Sequence, residues 1–196
     1  CYFSDRDQSV SLTNRFTKNS WGTLGVGFLQ RYYTIPFTEF DLDIIYYKAR
    51  FNFKLKRLGT LAFQINQGRA ESESHLGTLR PSSFDRSYNT QELFIPFTIK
   101  YRLPFIQSFG FSYRSEKRIY DAEDPNDVLH AGRSHKDEKF SLWFRKNLGK
   151  DVSIKLSSRL RSRETDSGYE WVSDLKSFNQ LQFWINIEWD LIYDQY

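Results

Sequence analysis

The chain has 196 residues, enough for one sizeable domain, and its 28 Lys and Arg against 24 Asp and Glu leave a net charge of +4. Mean hydropathy is −0.62, and no run of about 18 apolar residues occurs, which excludes a transmembrane helix. A membrane-spanning barrel stays open, because its strands alternate lipid-facing and lumen-facing residues and their average hydropathy is low.

Composition favours a sheet. Aromatics reach 18%, with 18 Phe, 12 Tyr and 5 Trp, and such residues fit pleated surfaces and membrane interfaces. The cations are spread along alternating segments rather than gathered in a run, so nucleic acid is not an expected partner. Cys1 is the single cysteine, which rules out an internal disulfide. A chain that opens on Cys1 reads either as a mature lipoprotein with that residue lipidated, or as a piece of a longer protein.

Taken in chain order, period-two alternation predicts nine strands, at 8–17, 21–34, 40–56, 60–72, 88–103, 106–120, 135–147, 151–165 and 178–193. Phe51, Phe53 and Leu55 alternate with Arg50, Asn52, Lys54 and Lys56. Leu93, Ile95, Phe97, Ile99 and Tyr101 face Glu92, Thr98, Lys100 and Arg102. Leu181, Phe183, Ile185, Ile187 and Trp189 alternate with Gln182, Asn186 and Glu188. No segment reads as a helix. Several strands reach the length of about ten residues that a tilted strand needs to cross a bilayer. Pro96 interrupts a strong strand and implies a bulge there.

The connections sort by length. Tight turns fall at 18–20, 57–59, 104–105 and 148–150; long polar loops fall at 73–87, 121–134 and 166–177, with a shorter link at 35–39. Outer-membrane barrels show this alternation of short periplasmic turns and long outward loops. Bacterial single-chain barrels hold an even number of strands, so nine implies either a short extra strand within residues 1–7 or a place in a larger barrel.

The segment His135–Trp189 has a charged entry, an alternating strand, a turn at Asn147-Leu148-Gly149-Lys150, a second alternating strand, a loop at Thr165-Asp166-Ser167-Gly168-Tyr169 and an aromatic closing strand. It resembles the closing hairpins of Gram-negative outer-membrane β-barrels, of the porin-like and export-type C-terminal kinds. The resemblance covers the last half of the chain and carries over no catalytic residue. It departs from that pattern at the C-terminus, where Glu188, Asp190 and Asp194 occupy the alternate positions before Tyr196.

With each apolar row turned to lipid, the other row becomes a basic lumen: Arg15, Arg31, Lys48, Arg50, Lys54, Lys56, Lys100, Arg102, Arg114, Lys139, Arg145, Lys155, Arg159, Arg161 and Arg163. Against these stand only Glu92, Glu116, Glu188 and Asp190. Charges on the lipid face would cost about 2–4 kcal/mol each at the midplane, which makes the lumen the economical place for them. Such an interior attracts anions, and its excess charge favours a wide, wet barrel over a packed one. Trp21, Tyr101, Tyr113, Trp189 and Tyr193 lie toward strand ends, as an interfacial girdle requires.

The three histidines, His75, His130 and His135, fall in loops, with an acidic stretch from Asp121 to Asp127 before the last two. Their spacing matches no metal site and no serine sits in a nucleophile context, so neither metal nor cofactor is expected. The reading is therefore an all-β, antiparallel up-and-down transmembrane barrel of about 8–10 strands in one domain, 1–196, or the C-terminal portion of a larger one. It sits in a bacterial outer membrane, is not an enzyme, and conducts, exports or anchors. Its partners are outer-membrane lipids, anionic solutes or polysaccharide, and a periplasmic or plug protein. Two alternatives remain: a hydrolase working at outer loops, and a soluble β-barrel that binds an apolar ligand.

Overall fold

A computed structural model describes residues 2–34, 41–56, 58–72, 85–100, 106–149 and 151–189. Nine strands form one antiparallel sheet in chain order: β1 (Phe3–Thr17), β2 (Ser20–Tyr33), β3 (Leu42–Leu55), β4 (Gly59–Glu71), β5 (Tyr88–Ile99), β6 (Ser108–Tyr120), β7 (Ser134–Asn147), β8 (Val152–Asp166) and β9 (Phe178–Trp189). Each strand pairs only with its sequence neighbours, so the described sheet is an open up-and-down meander with β1 and β9 as free edges. It is not closed into a barrel.

The expected alternation of connections holds in part: the turns after β1, β3 and β7 are short, but β5 ends at Ile99 and β6 starts at Ser108, so the connection expected to turn tightly at 104–105 is as long as the one between β2 and β3, and residues 104–105 lie outside the described residues. One end of the sheet carries the connections 18–19, 56–58, 100–107 and 148–151; the other carries 34–41, 72–87, 121–133 and 167–177. The turn after β3 is tight enough to hold Lys56 at φ 44°, in the left-handed region.

Three local expectations are corrected. Residues 3–7 form no separate strand; they lengthen β1, where Phe3 pairs with Tyr33 and Asp5 with Arg31. Pro96 makes no bulge. Pairing between β4 and β5 lapses around it, yet Leu61↔Phe97 on one side and Gln64↔Phe94 on the other keep the same register. A missing N–H thus removes a rung without inserting a residue; among the described residues the one register shift lies between Arg15 and Thr17. Finally, a helix, α1 (Glu170–Lys176), stands in the last long connection. Its acidic first turn and basic last turn suit the helix dipole, and Val172 is fully buried.

Register sorts every strand onto two faces. Val10, Val26, Tyr47 and Gln67 share one face through successive pairs, as do Leu61, Phe97, Phe111, Leu142 and Ser158. The large hydrophobics of this face are exposed: Val10, Leu24, Tyr47, Ile65, Phe140, Leu160 and Phe183, the last at 72%. Apart from glycines, the buried residues of the strands, Asn52, Ala62, Gln64, Ala70, Tyr88, His135, Asp137 and Ser153, belong to the opposite face. No second layer covers that face among the described residues. Curvature alone encloses it, so the sheet curls toward its polar side.

Candidate functional site

The concave face gathers the basic row read from the sequence. Arg15, Arg31, Lys48, Arg50, Lys54, Arg114, Lys139, Arg145, Lys155, Arg159, Arg161 and Arg163 all lie on it by register. Lys56 and Lys100 flank strand ends at the tight-turn mouth; Arg102 lies outside the described residues. Rows running across the strands show the arrangement. One row reads Thr23, Arg50, Gln64, Phe94, Arg114, Lys139, Arg161, Gln180. The adjacent row, nearer the long loops, reads Lys48, Asn66, Glu92, Glu116, Asp137, Arg163.

That second row is a carboxylate belt, and most of its members are satisfied from the rows beside it. Asp137 is 1% exposed. It accepts from Arg161 Nε and Arg163 Nε, each at 3.0 Å, with Lys139 Nζ 3.5 Å away. Arg118 reaches Glu116 at 2.7 Å. Glu92 accepts from Asn66 Nδ2 at 2.7 Å and faces Arg114 at 3.5 Å. Sheltered carboxylates of this kind require such partners, because unpaired charge removed from water is costly. Asp5, Asp7, Arg118 and Asp137 were missed in the sequence reading. Carrying the Lys139 parity two residues back to Asp137, and that of Arg114 forward to Arg118, reveals both.

Toward the tight turns the pairing ends. Arg145 is held by Glu188 at 2.7 Å, but Arg15, Lys54, Lys155 and Arg159 have no carboxylate partner among the described residues, and Arg50 has only the amides of Asn52 and Gln64. The concave face therefore divides into a cross-linked belt and an open basic zone.

The convex face is zoned as well. Its apolar band, exemplified by Leu181, Phe183, Ile185, Ile187 and Trp189 on β9, lies in the half nearest the tight turns. Above it comes a charged belt with the pairs Arg69–Glu71 at 2.8 Å and Lys136–Glu138 at 3.0 Å. Tyr113 sits on the boundary and donates to Glu138 at 2.6 Å; Trp189 marks the opposite edge of the band, two-thirds exposed. Trp21 does not join them. It pairs with Arg15 and Asn52 on the concave face. Tyr101, Tyr193 and Cys1 lie outside the described residues.

His130 and His135 both lie against the Tyr120 ring, with centroids 5.3 Å and 6.1 Å away. His130 Nδ1 lies 2.9 Å from Asp127 Oδ1, and the same oxygen accepts the His130 backbone N–H at 3.1 Å. The pair thus closes its own turn and presents no hydroxyl nucleophile. Burial pulls the His130 pKa below its ordinary value against the attraction of Asp127. No group of three metal-ligating side chains occurs among the described residues, and His75 lies outside them. No helix among the described residues is long and apolar enough to cross a membrane, which says nothing about strands.

Comparison with family models, with curated proteins and with solved structures finds no match for this chain.

Proposed function

We propose that this chain forms the wall of a bacterial outer-membrane β-barrel whose water-filled, basic interior passes anionic solutes. The observation that carries this reading is the inversion of the sheet: its enclosed face is charged and its outer face is greasy. A sheet in water curls the other way, because apolar burial drives folding at about 25 cal/mol per Å². A contiguous exposed apolar surface of this extent marks an interaction with membrane or protein.

The zoning supports lipid rather than a protein partner. From Leu181 to Trp189 the band runs eight residue steps, roughly 27 Å along the strand at about 3.4 Å each. At the tilt of about 40° usual for such strands this spans roughly 21 Å, close to the lipid-facing band of outer-membrane barrels. Among the described residues the outer face of the band carries one charged side chain between its two boundaries, Lys146 opposite Ile154 near the tight turns, where a long side chain reaches the polar edge; the long loops rise from the charged side. In this reading the tight turns face the periplasm. β1 and β9 run in the same direction, so closure takes an odd number of further antiparallel strands or a parallel seam.

Reconstitution in planar bilayers under a salt gradient tests the function. A reversal potential set by the anion supports it; cation selectivity, or a protein that stays monodisperse in plain buffer with no affinity for detergent, overturns it.

A further inference from the structure

On the concave side, within the open basic zone, two adjoining clefts share Trp143 and Lys155: one of about 620 Å³ runs from the ends of β5 and β6 to β7 and β8, and one of about 340 Å³ lies across β7, β8 and β9. Lys155 Nζ lies 5.3 Å from the centroid of Trp143, and the Arg159 guanidinium lies 4.9 Å from that of Trp184. Neither cation has a carboxylate partner among the described residues, although Arg145 and Arg161 beside them do. The two indoles differ. Trp143 lies against Gly110, where a Cβ would come within 2.8 Å of the ring, so it forms a fixed wall. Trp184 is 37% exposed and offers an open surface. Ser157 stands between the indoles in the same row, and Asn186 is paired with Lys155 in the next.

These groups select a ligand class by what each would leave unused. A bare inorganic anion has no use for an open indole. An apolar ligand would bury two cations without compensation. A carboxylated sugar uses all of them: its carboxylate accepts from Arg159 and Lys155, its C–H face lies on Trp184, and its hydroxyls meet Ser157 and Asn186. We propose that this is a subsite for an acidic saccharide, a chain of carboxylated pyranose units. The inference takes from the functional reading only that the concave face is wet.

Calorimetric titration of the full chain tests it, in detergent micelles or, if the chain is monodisperse without them, in plain buffer, so that failure of the membrane reading leaves this test intact. The probes are trigalacturonate, maltotriose as its neutral counterpart and citrate as an anion without a ring. The expected result is binding of trigalacturonate alone, weakened at least tenfold by Arg159→Gln and by Lys155→Gln and severalfold by Trp184→Ala, with Lys48→Gln unchanged. Each variant sits on a solvated surface, and an unaltered β-sheet circular dichroism spectrum checks its fold. Citrate binding as tightly as trigalacturonate overturns the sugar assignment, and maltotriose binding as tightly overturns the anion assignment. No binding of any probe, or binding indifferent to both Arg159→Gln and Lys155→Gln, overturns the site.

Discussion

The Tyr113 hydroxyl donates a 2.6 Å hydrogen bond to Glu138, and the two residues straddle the line where the convex face turns from apolar to charged. Tyrosine suits that line because its ring is apolar and its tip is polar. Phe140, opposite Tyr113, belongs to the band, whereas Ser115, opposite Glu138, belongs to the polar belt. The proposed membrane reading takes this line as the edge of the lipid-facing band.

The medium is tested by placing charge on either side of that line. Phe183→Arg, within the band, is expected to cost about 2–4 kcal/mol when the chain unfolds by urea from lipid vesicles. Asn179→Arg, on the same face of β9 but above the band, is expected to stay within about 0.5 kcal/mol. On a sheet bathed in water both would be near neutral, since Phe183 is already exposed, and equal small effects would sink the lipid-facing assignment.

Asp137 anchors the carboxylate belt. Asp137→Asn leaves Arg161, Arg163 and Lys139 facing one another without their shared anion. Breaking a buried pair costs about 3–5 kcal/mol; the cations here are about a quarter exposed, and screening by water reduces that to roughly 2–3 kcal/mol. Adding Arg163→Gln to the variant should recover part of the loss. Denaturant midpoints of the two variants measure both effects, and a double variant less stable than the single would contradict the account.

Gly27 gives Tyr46 its path across β2. A Cβ at Gly27 would overlap the Tyr46 ring, whose hydroxyl donates to Asp7 on β1 at 2.9 Å. Gly27→Ala therefore displaces the ring and is expected to destabilise by about 1–3 kcal/mol; Tyr46→Phe, losing only the hydrogen bond, by about 1 kcal/mol. Combined with Tyr46→Ala, Gly27→Ala should cost less than the two changes summed. A thermodynamic cycle measured by urea unfolding checks the coupling, and strict additivity would refute it.

The 121–133 connection should loosen in acid. Burial lowers the His130 pKa from its unfolded value of 6.5, so the unfolded segment binds more protons as pH falls through that range, and protonation works against the folded loop. Stability contributed by neutral His130 is thus present above about pH 6.5 and drains away below it. Amide exchange across this connection is expected to quicken at pH 5 relative to pH 7.5, more than elsewhere, and His130→Gln should flatten the difference. Protection that increases on acidification would reverse the sign and defeat the assignment.

Much of this architecture is legible in one dimension because strand alternation is a local property. Leu93 to Ile99 reads as a strand face without knowing its neighbours, and the short turns after β1, β3 and β7 mark one end of the sheet. What was missed depends on partners far along the chain. Asp137 looks like one charge in a mixed run until β8 arrives beside it, bringing Arg161 and Arg163 from 24 and 26 residues away. The helix α1 has seven residues, too few to show a period, and its loop is tied down by Tyr169 donating to the Pro125 carbonyl at 3.1 Å. Trp21 reads as an interfacial aromatic by its nearness to a strand end, yet its parity puts it beside Arg15 and Asn52.

The amino-acid order alone determined nine strands, their two faces and three of the short turns, since side chains two apart share a side and turns are made of adjacent residues. Only the tertiary structure decided which face is enclosed, which cations find carboxylates and which are left open to a ligand. Those outcomes depend on the direction in which the sheet curls and on the register between strands, and both are set by contacts that no single segment contains.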